Sequence, residues 1–168
     1  KTETKQITKL VMRRRYWLYY ALQFLSGARR QIFVVFAGFM MVEKFGFQVH
    51  QLTALFLINL IINIFVAPLF GYFIANFGER RALLIEYSGL ICVFMAYGGI
   101  YLFDWGVALA AILFVLDHLF FGLKMALKTY FQKISAPEDI APTAAVAFTI
   151  NHIAAVFLPV LLGLLWLI

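Results

Sequence analysis

Two adjacent arginines, Arg29 and Arg30, stand in the middle of a long apolar run, where a charged side chain is costly. A guanidinium makes a bidentate, directional pair with a carboxylate, so both residues are candidates for binding an anionic group. Asn59 and Asn63 share one helix face in a second apolar run, and Asn151 lies in another. We predict that these five residues bind a polar ligand, although the Asn59–Asn63 face also suits ordinary hydrogen bonding between helices.

Acid–base chemistry is suggested by a second group, Asp117, His118 and His152. Histidine titrates near neutral pH, and one beside a carboxylate can carry a proton. We therefore predict proton transfer by these three residues. Three other interpretations stay open: histidines that only pack, a metal ion held by the group, and an ion pair of one arginine with Asp117. We expect no cofactor.

The composition decides which environment surrounds these side chains. Hydrophobic residues make up 64% of the 168 residues, charged residues only 13%, and the mean hydropathy is +0.92. Soluble domains are about 45–50% apolar and about 25% charged. A single cysteine, Cys92, excludes both a disulfide framework and a cysteine-ligated zinc domain. The sequence therefore predicts an integral membrane protein.

Five apolar runs are long enough to cross a bilayer core as helices, which takes about 20 residues each. They predict an all-α membrane bundle with spans at roughly 16–42, 52–75, 82–103, 107–131 and 142–168. Short polar or glycine-containing breaks separate them, at residues 43–46, 76–81, 103–106 and 133–139.

The distribution of basic residues predicts the orientation. Lysine and arginine number 14 against 8 acidic residues, and residues 1–15 form a basic segment just before the first span. With this segment cytoplasmic, Arg80, Arg81 and Lys133 also lie inside, and of the basic residues in the loops only Lys44 lies outside. We expect a protein of the plasma (inner) membrane. The segment also suits anionic lipid headgroups, and without an aromatic platform we expect no nucleic acid.

Polar residues at mid-depth occur in four of the five spans and are missing from the middle of the third. We therefore expect four helices to line a cavity and the third to pack outside them. The sequence contains no nucleophile elbow, zinc-protease motif, Walker loop or dinucleotide fingerprint. We do not expect an enzyme.

The segment between the second and third spans is similar to a known sequence motif. Residues 71–84 read GYFIANFGERRALL, which resembles the cytoplasmic signature loop of the major facilitator superfamily, with Gly71, Gly78 and Arg80 in matching positions and Arg81 beside them. The family's acidic residue falls on Ala75 and its first basic residue on Asn76, so the latch that this loop forms in the family is altered. Glu86 is a candidate partner for Arg80 or Arg81. Residues 135–139 resemble the stretch ahead of the family's eleventh helix.

On this resemblance the spans correspond to helices seven to eleven of a twelve-helix transporter, after a basic linker. The family's helices seven, eight, ten and eleven line its cavity, which agrees with the polar layer. The resemblance implies secondary active transport of a small solute by alternating access, with a preceding six-helix half in the same protein or another chain. We expect a fragment of a longer protein and a slight preference for an anionic solute, with proton coupling. An exporter of amphipathic cations and a non-transporting subunit or scaffold remain alternatives.

Overall fold

The structure, a computed structural model, describes residues 12–166, and the predicted basic segment therefore lies mostly outside the described residues. All regular structure in the described part is helical, and no strand occurs there. Seven α-helices follow one another, at Trp17–Ile32 (α1), Gly38–Glu43 (α2), Val49–Phe77 (α3), Glu79–Phe103 (α4), Val107–Gly122 (α5), Met125–Ile134 (α6) and Ile140–Trp166 (α7). Two short 3₁₀ turns, Arg14–Tyr16 and Pro137–Asp139, precede α1 and α7.

Five helical stretches in the described part are long and apolar enough to cross a membrane, as the sequence predicted. They are Arg14–Glu43, Val49–Phe77, Glu79–Phe103, Val107–Ile134 and Pro137–Leu161. Several ends differ from the predicted ones by a few residues. For example, α3 begins at Val49 because Gln48 and Gln51 form a capping box, in which Gln48 N–H donates to Oε1 of Gln51 at 2.9 Å.

The break predicted at 76–81 is much shorter in the structure. Only Gly78 separates α3 from α4, and its neighbours on both sides are helical. The glycine has φ +83° and ψ 161°, a conformation that is essentially closed to residues with a Cβ. This single residue reverses the chain, so Glu79, Arg80 and Arg81 form the first turn of α4.

Two predicted spans are not continuous α-helices. A π-helical segment, Phe33–Ala37, lies between α1 and α2. In the fourth span, the N–H groups of Leu123 and Lys124 donate to carbonyls three residues earlier, both at 3.1 Å, which tightens the helix between α5 and α6. No proline marks either place, so hydrophobic periodicity alone could not locate them.

Residues 12–166 divide into two compact units. The terminal unit comprises residues 12–35 and 129–166, and α1 packs along α7 within it. The central unit comprises residues 36–128, in which α3, α4 and α5 pack against one another. Near one end of these three helices the central unit has an apolar cluster of Ile74, Ala82, Leu123 and Ala126.

Candidate functional site

In the terminal unit, α1 and α7 meet through a glycine and an asparagine. Nδ2 of Asn151 donates to the carbonyl oxygen of Gln23 at 3.0 Å. One turn further along α1, Gly27 lies so close to α7 that an added Cβ would be 3.0 Å from Asn151 Cα. The absence of a side chain at Gly27 therefore lets the two backbones approach, and this approach brings Asn151 of α7 into contact with α1.

The two arginines have different surroundings. Arg29 is buried, with 8% of its surface exposed, whereas Arg30 is exposed. Consecutive residues on a helix point about 100° apart, and the packing of α1 buries Arg29 while Arg30 stays exposed. The carbonyls of both residues accept from the N–H of Phe33, at the start of the π-helical segment. Such segments occur frequently at functional sites.

Further polar side chains are buried along the same two helices. Ser26 on α1 and Thr143 on α7 are 2% and 0% exposed, and Tyr20 is also buried. Their hydroxyl oxygens have no hydrogen-bond partner among residues 12–166. Buried hydroxyls are normally satisfied by protein, water or ligand, so these three mark polar positions within a largely apolar unit.

His152 lies on the outside of the terminal unit, although it follows Asn151 directly. Its ring packs on Phe148 with centroids 4.0 Å apart, and its Nδ1 lies 2.9 Å from the Phe148 carbonyl oxygen. Since a carbonyl only accepts, this contact makes Nδ1 the protonated nitrogen. The structure therefore does not bring His152 to the α1 side of α7.

In the central unit, Asn59 and Asn63 lie on one face of α3, as predicted. Asn63 Nδ2 donates to the Asn59 carbonyl oxygen at 3.2 Å. The Asn59 side chain is 2% exposed, and neither of its amide atoms has a hydrogen-bond partner in the described part of the chain. Asn63 is only partly buried and faces α5, where a Cβ on Gly122 would lie 3.2 Å from its Oδ1.

Asp117 and His118 lie side by side on α5 in different environments. Asp117 is 1% exposed, and its carboxylate lies close enough to the Tyr97 hydroxyl of α4 to act on it electrostatically. The His118 ring stacks on Phe114, with centroids 5.4 Å apart, and meets Phe56 of α3 edge-on at 5.7 Å. The helix that the sequence placed outside the polar layer thus contributes a hydroxyl group, on Tyr97, that the charge of Asp117 influences.

The loop with the family resemblance is compact. Gly78 makes the reversal between α3 and α4, while Gly71 is an interior residue of α3 with no atom within 4 Å of an added Cβ. Arg80 and Arg81 are exposed, and Glu86, two turns further along α4, is 2% exposed. The predicted pairing of Glu86 with either arginine stays a prediction.

The site residues predicted from the sequence divide between the two units. Arg29, Arg30, Asn151 and His152 belong to the terminal unit, and Asn59, Asn63, Asp117 and His118 to the central unit. Within residues 12–166, no group of three or more histidine, cysteine or acidic residues is placed to hold a metal ion.

A comparison with protein families identifies the class to which these helices belong. The model of the Major Facilitator Superfamily matches residues 1–159, nearly the whole chain. The chain belongs to the major facilitator superfamily. As a member of this family it is an integral membrane protein and a membrane transporter, in agreement with the five spanning helices. No curated protein and no solved structure gives a significant match.

Proposed function

We propose that this superfamily member is a secondary active transporter that moves a small solute by alternating access and slightly favours an anionic one. The observation that carries the proposal is the burial of Arg29 on α1, two residues after Gly27, which contacts Asn151. A buried arginine within a spanning helix is expensive, and such residues mark substrate or ion pathways. We propose Arg30 as a further solute contact of the terminal unit, and Asn59 and Asn63 as solute contacts of the central unit.

The chemistry of the proposed site supports an anionic solute. A guanidinium offers five donors in a fixed fork, which matches a carboxylate or phosphate group. The amide of Asn151 and the buried hydroxyls of Ser26 and Tyr20 lie on the same pair of helices and supply neutral hydrogen-bonding groups. We infer that the charge gives affinity and that these neutral groups give selectivity.

Proton coupling is proposed for the central unit. Asp117 is buried and its charge acts on the Tyr97 hydroxyl, and the ring of the adjacent His118 lies between aromatic side chains of α3 and α5. A buried carboxylate changes its charge with protonation, so a proton on Asp117 would change the stability of one conformation relative to another. His118 is the proposed proton donor to it. His152, which is exposed in the terminal unit, is proposed separately to take part in proton coupling.

The same aromatic group favours one other candidate function, export of an amphipathic cation. Rings of Phe56 and Phe114, 5.1 Å apart, lie near a buried carboxylate, an arrangement that suits a cationic and partly apolar solute. The two candidates differ in which residue is essential: Arg29 for an anion, Asp117 for a cation.

We further propose that the chain is the C-terminal half of its transporter, with helices seven to eleven of the family and a cytoplasmic N-terminus in the plasma (inner) membrane. The order of polar and apolar spans and the basic residues on the proposed inner side support this assignment. The partner in this proposal is a preceding six-helix half. A tag at each end, tested for protease access in intact cells, checks the orientation.

Uptake into proteoliposomes containing the full-length protein tests the proposed function. The panel comprises small carboxylates, inorganic phosphate and amphipathic cations, each with and without an inward proton gradient. We expect gradient-dependent uptake of an anion, and an Arg29→Gln variant should lose about ten- to hundredfold in rate because a charge-assisted hydrogen bond is lost. Arg14→Gln, which removes an exposed arginine near the start of α1, is the matched control.

The outcomes separate the candidates. Uptake of cations that survives Arg29→Gln and is lost in Asp117→Asn would favour the exporter. Normal anion uptake by Arg29→Gln would exclude the proposed role of this residue. No movement of any solute by well-folded protein would contradict transport by the protein alone.

A further inference from the structure

The segment before α1 is held to the segment before α7 by a buried carboxylate. Nε of Arg13 donates to Asp139, at 2.8 Å from Oδ1 and 2.7 Å from Oδ2. The Tyr16 hydroxyl donates to Oδ2 of the same carboxylate at 2.9 Å. The Asp139 side chain is 2% exposed and Tyr16 is 1% exposed, so the bond from Tyr16 to the carboxylate is shielded from water. The Arg13 side chain is 43% exposed, and its bond to the carboxylate is partly buried. A charge-assisted bond in such surroundings is stronger and more directional than one at the surface.

Neighbouring contacts make this junction stiff. The Tyr16 hydroxyl also accepts from the N–H of Ala136 at 3.2 Å, so one phenol oxygen links both sides of the 3₁₀ turn. Its ring meets Phe131 of α6 edge-on at 5.6 Å, and Tyr19 stacks on the same ring at 4.2 Å. Nη2 of Arg15 donates to the Ile134 carbonyl at 3.0 Å. The end of α6 and the 3₁₀ turn that follows it are thereby both joined to the start of α1.

A second contact between the same two helices lies farther along them, where Gly27 meets Asn151. Tyr16 and Gly27 are eleven residues apart, and Asp139 and Asn151 are twelve apart. At 1.5 Å per residue these separations are about 17 Å and about 18 Å. The two contacts are therefore spaced almost equally on the two helices, so both can form only in one register of α1 along α7.

We propose that Asp139 is a positioning residue, which fixes the register of α1 on α7 through Arg13 and Tyr16 and so sets where Arg29 stands relative to Asn151. The next register of the two helices would move α1 by one turn, about 5.4 Å, and carry Arg29 away from the Asn151 level. The part of the inference that concerns solute binding by Arg29 rests on the proposed function. The part that concerns the register of α1 on α7 is independent of it.

Spin labels measure the register directly. Phe24 on α1 and Phe157 on α7 are 43% and 63% exposed, and each is replaced by a labelled cysteine in full-length protein whose other cysteines, Cys92 included, are serine. We expect Asp139→Ala to shift or broaden the distance distribution by roughly half a helical turn, about 3 Å. Glu138→Ala, which removes an equal charge from the exposed neighbouring residue, should leave the distribution unchanged.

Superposition of the distributions of Asp139→Ala and Glu138→Ala would overturn the proposal. If Asp139→Ala does not fold, Asp139→Asn and Tyr16→Phe decide instead, because each keeps the shape of the side chain. We expect a smaller shift or broadening in both, and two distributions identical to that of the parent protein would also overturn it.

Transport gives the readout that a merely structural residue would not affect. With a solute from the uptake panel, Asp139→Asn should raise KM about tenfold and change the maximal rate far less, because the misplaced guanidinium weakens binding. An unchanged KM would contradict the link to Arg29. Since the spin-label measurement needs no solute, a failure of the proposed function leaves the register test intact.

Discussion

Gly27 on α1 lies against the backbone of Asn151 on α7, so closely that a Cβ atom added to Gly27 would come within 3.0 Å of Asn151 Cα. The neighbour here is main chain, which cannot rotate away. This contact brings a hydrogen-bonding amide of α7 to the helix that carries Arg29. Close approach of two spanning helices at a small residue is a common way of packing in membranes.

Replacing Gly27 by alanine should therefore destabilise the protein, by about 1–3 kcal/mol, because the methyl group forces α1 and α7 apart. Thermal unfolding in detergent measures the effect. Gly98→Ala is the control, since an added Cβ at this helical position of α4 meets no atom within 4 Å. Equal melting temperatures for the two variants would mean that the close approach does not contribute to stability.

The two glycines of the α3–α4 loop should respond differently to alanine. Gly78→Ala places a Cβ on a residue with φ +83° and ψ 161°, which costs about 1–3 kcal/mol. Gly71→Ala lies inside α3 in open space and should be neutral or slightly stabilising, because alanine is the better helix former. Melting temperatures of both variants check this, and a larger loss for Gly71→Ala would contradict the assignment of Gly78 as the turning residue.

Asp104, which ends α4, has the left-handed conformation with φ 52° and ψ 43°. Asp104→Val should lower the free energy of unfolding by about 1–2 kcal/mol, because a branched side chain clashes with the backbone in this conformation. Asp104→Asn should have little effect, because asparagine tolerates the left-handed conformation. The ion pair of Asp104 with Lys44, at 3.0 Å, contributes little, since the Asp104 side chain is 90% exposed. The melting temperatures of the two variants show whether the backbone conformation or the ion pair contributes more to stability. If Asn is as destabilising as Val, the ion pair outweighs the backbone conformation.

Asp117→Asn should abolish the response of transport to a proton gradient while solute exchange at equal pH persists. The reason is that an amide keeps the shape of the carboxyl group but cannot take up or release a proton. Uptake and exchange in the same proteoliposomes measure the two activities. Asp104→Asn makes the same chemical change at an exposed position.

Gradient-driven accumulation by Asp117→Asn equal to that of the parent protein would remove Asp117 from the proposed coupling. Loss of both uptake and exchange would point to a contact with the solute instead. Folding of the variant is checked first by its melting temperature, because Asp117 is 1% exposed.

The five spans and the family could be predicted from the sequence, because length and apolar composition determine whether a helix crosses a bilayer. Local chain geometry was harder to predict. Glu79, Arg80 and Arg81 have the polarity of a loop, yet they form the first turn of α4, since Gly78 alone makes the reversal. The π-helical segment and the tightening at Leu123 each adjoin one glycine, Gly38 and Gly122, and a single glycine within an apolar run does not reveal such a change in the helix.

The candidate site could be predicted only as a list of residues. Arg29 and Arg30 are equivalent in the sequence, and the packing of α1 decides which of them is buried. Asp139 looked like one residue of a polar loop, because its partner Tyr16 is 123 positions away. Tyr97 likewise acquires its importance only from Asp117 on the neighbouring helix.

The single residue between α3 and α4 has a consequence for how the protein enters the membrane. Connections between antiparallel helices usually have two to five residues, but here a single residue, Gly78, connects α3 to α4. Because α4 begins directly after Gly78, its first turn lies at the end of α3, and α4 must run back alongside α3. We therefore expect α3 and α4 to insert into the bilayer together as a hairpin, against which α5 then packs.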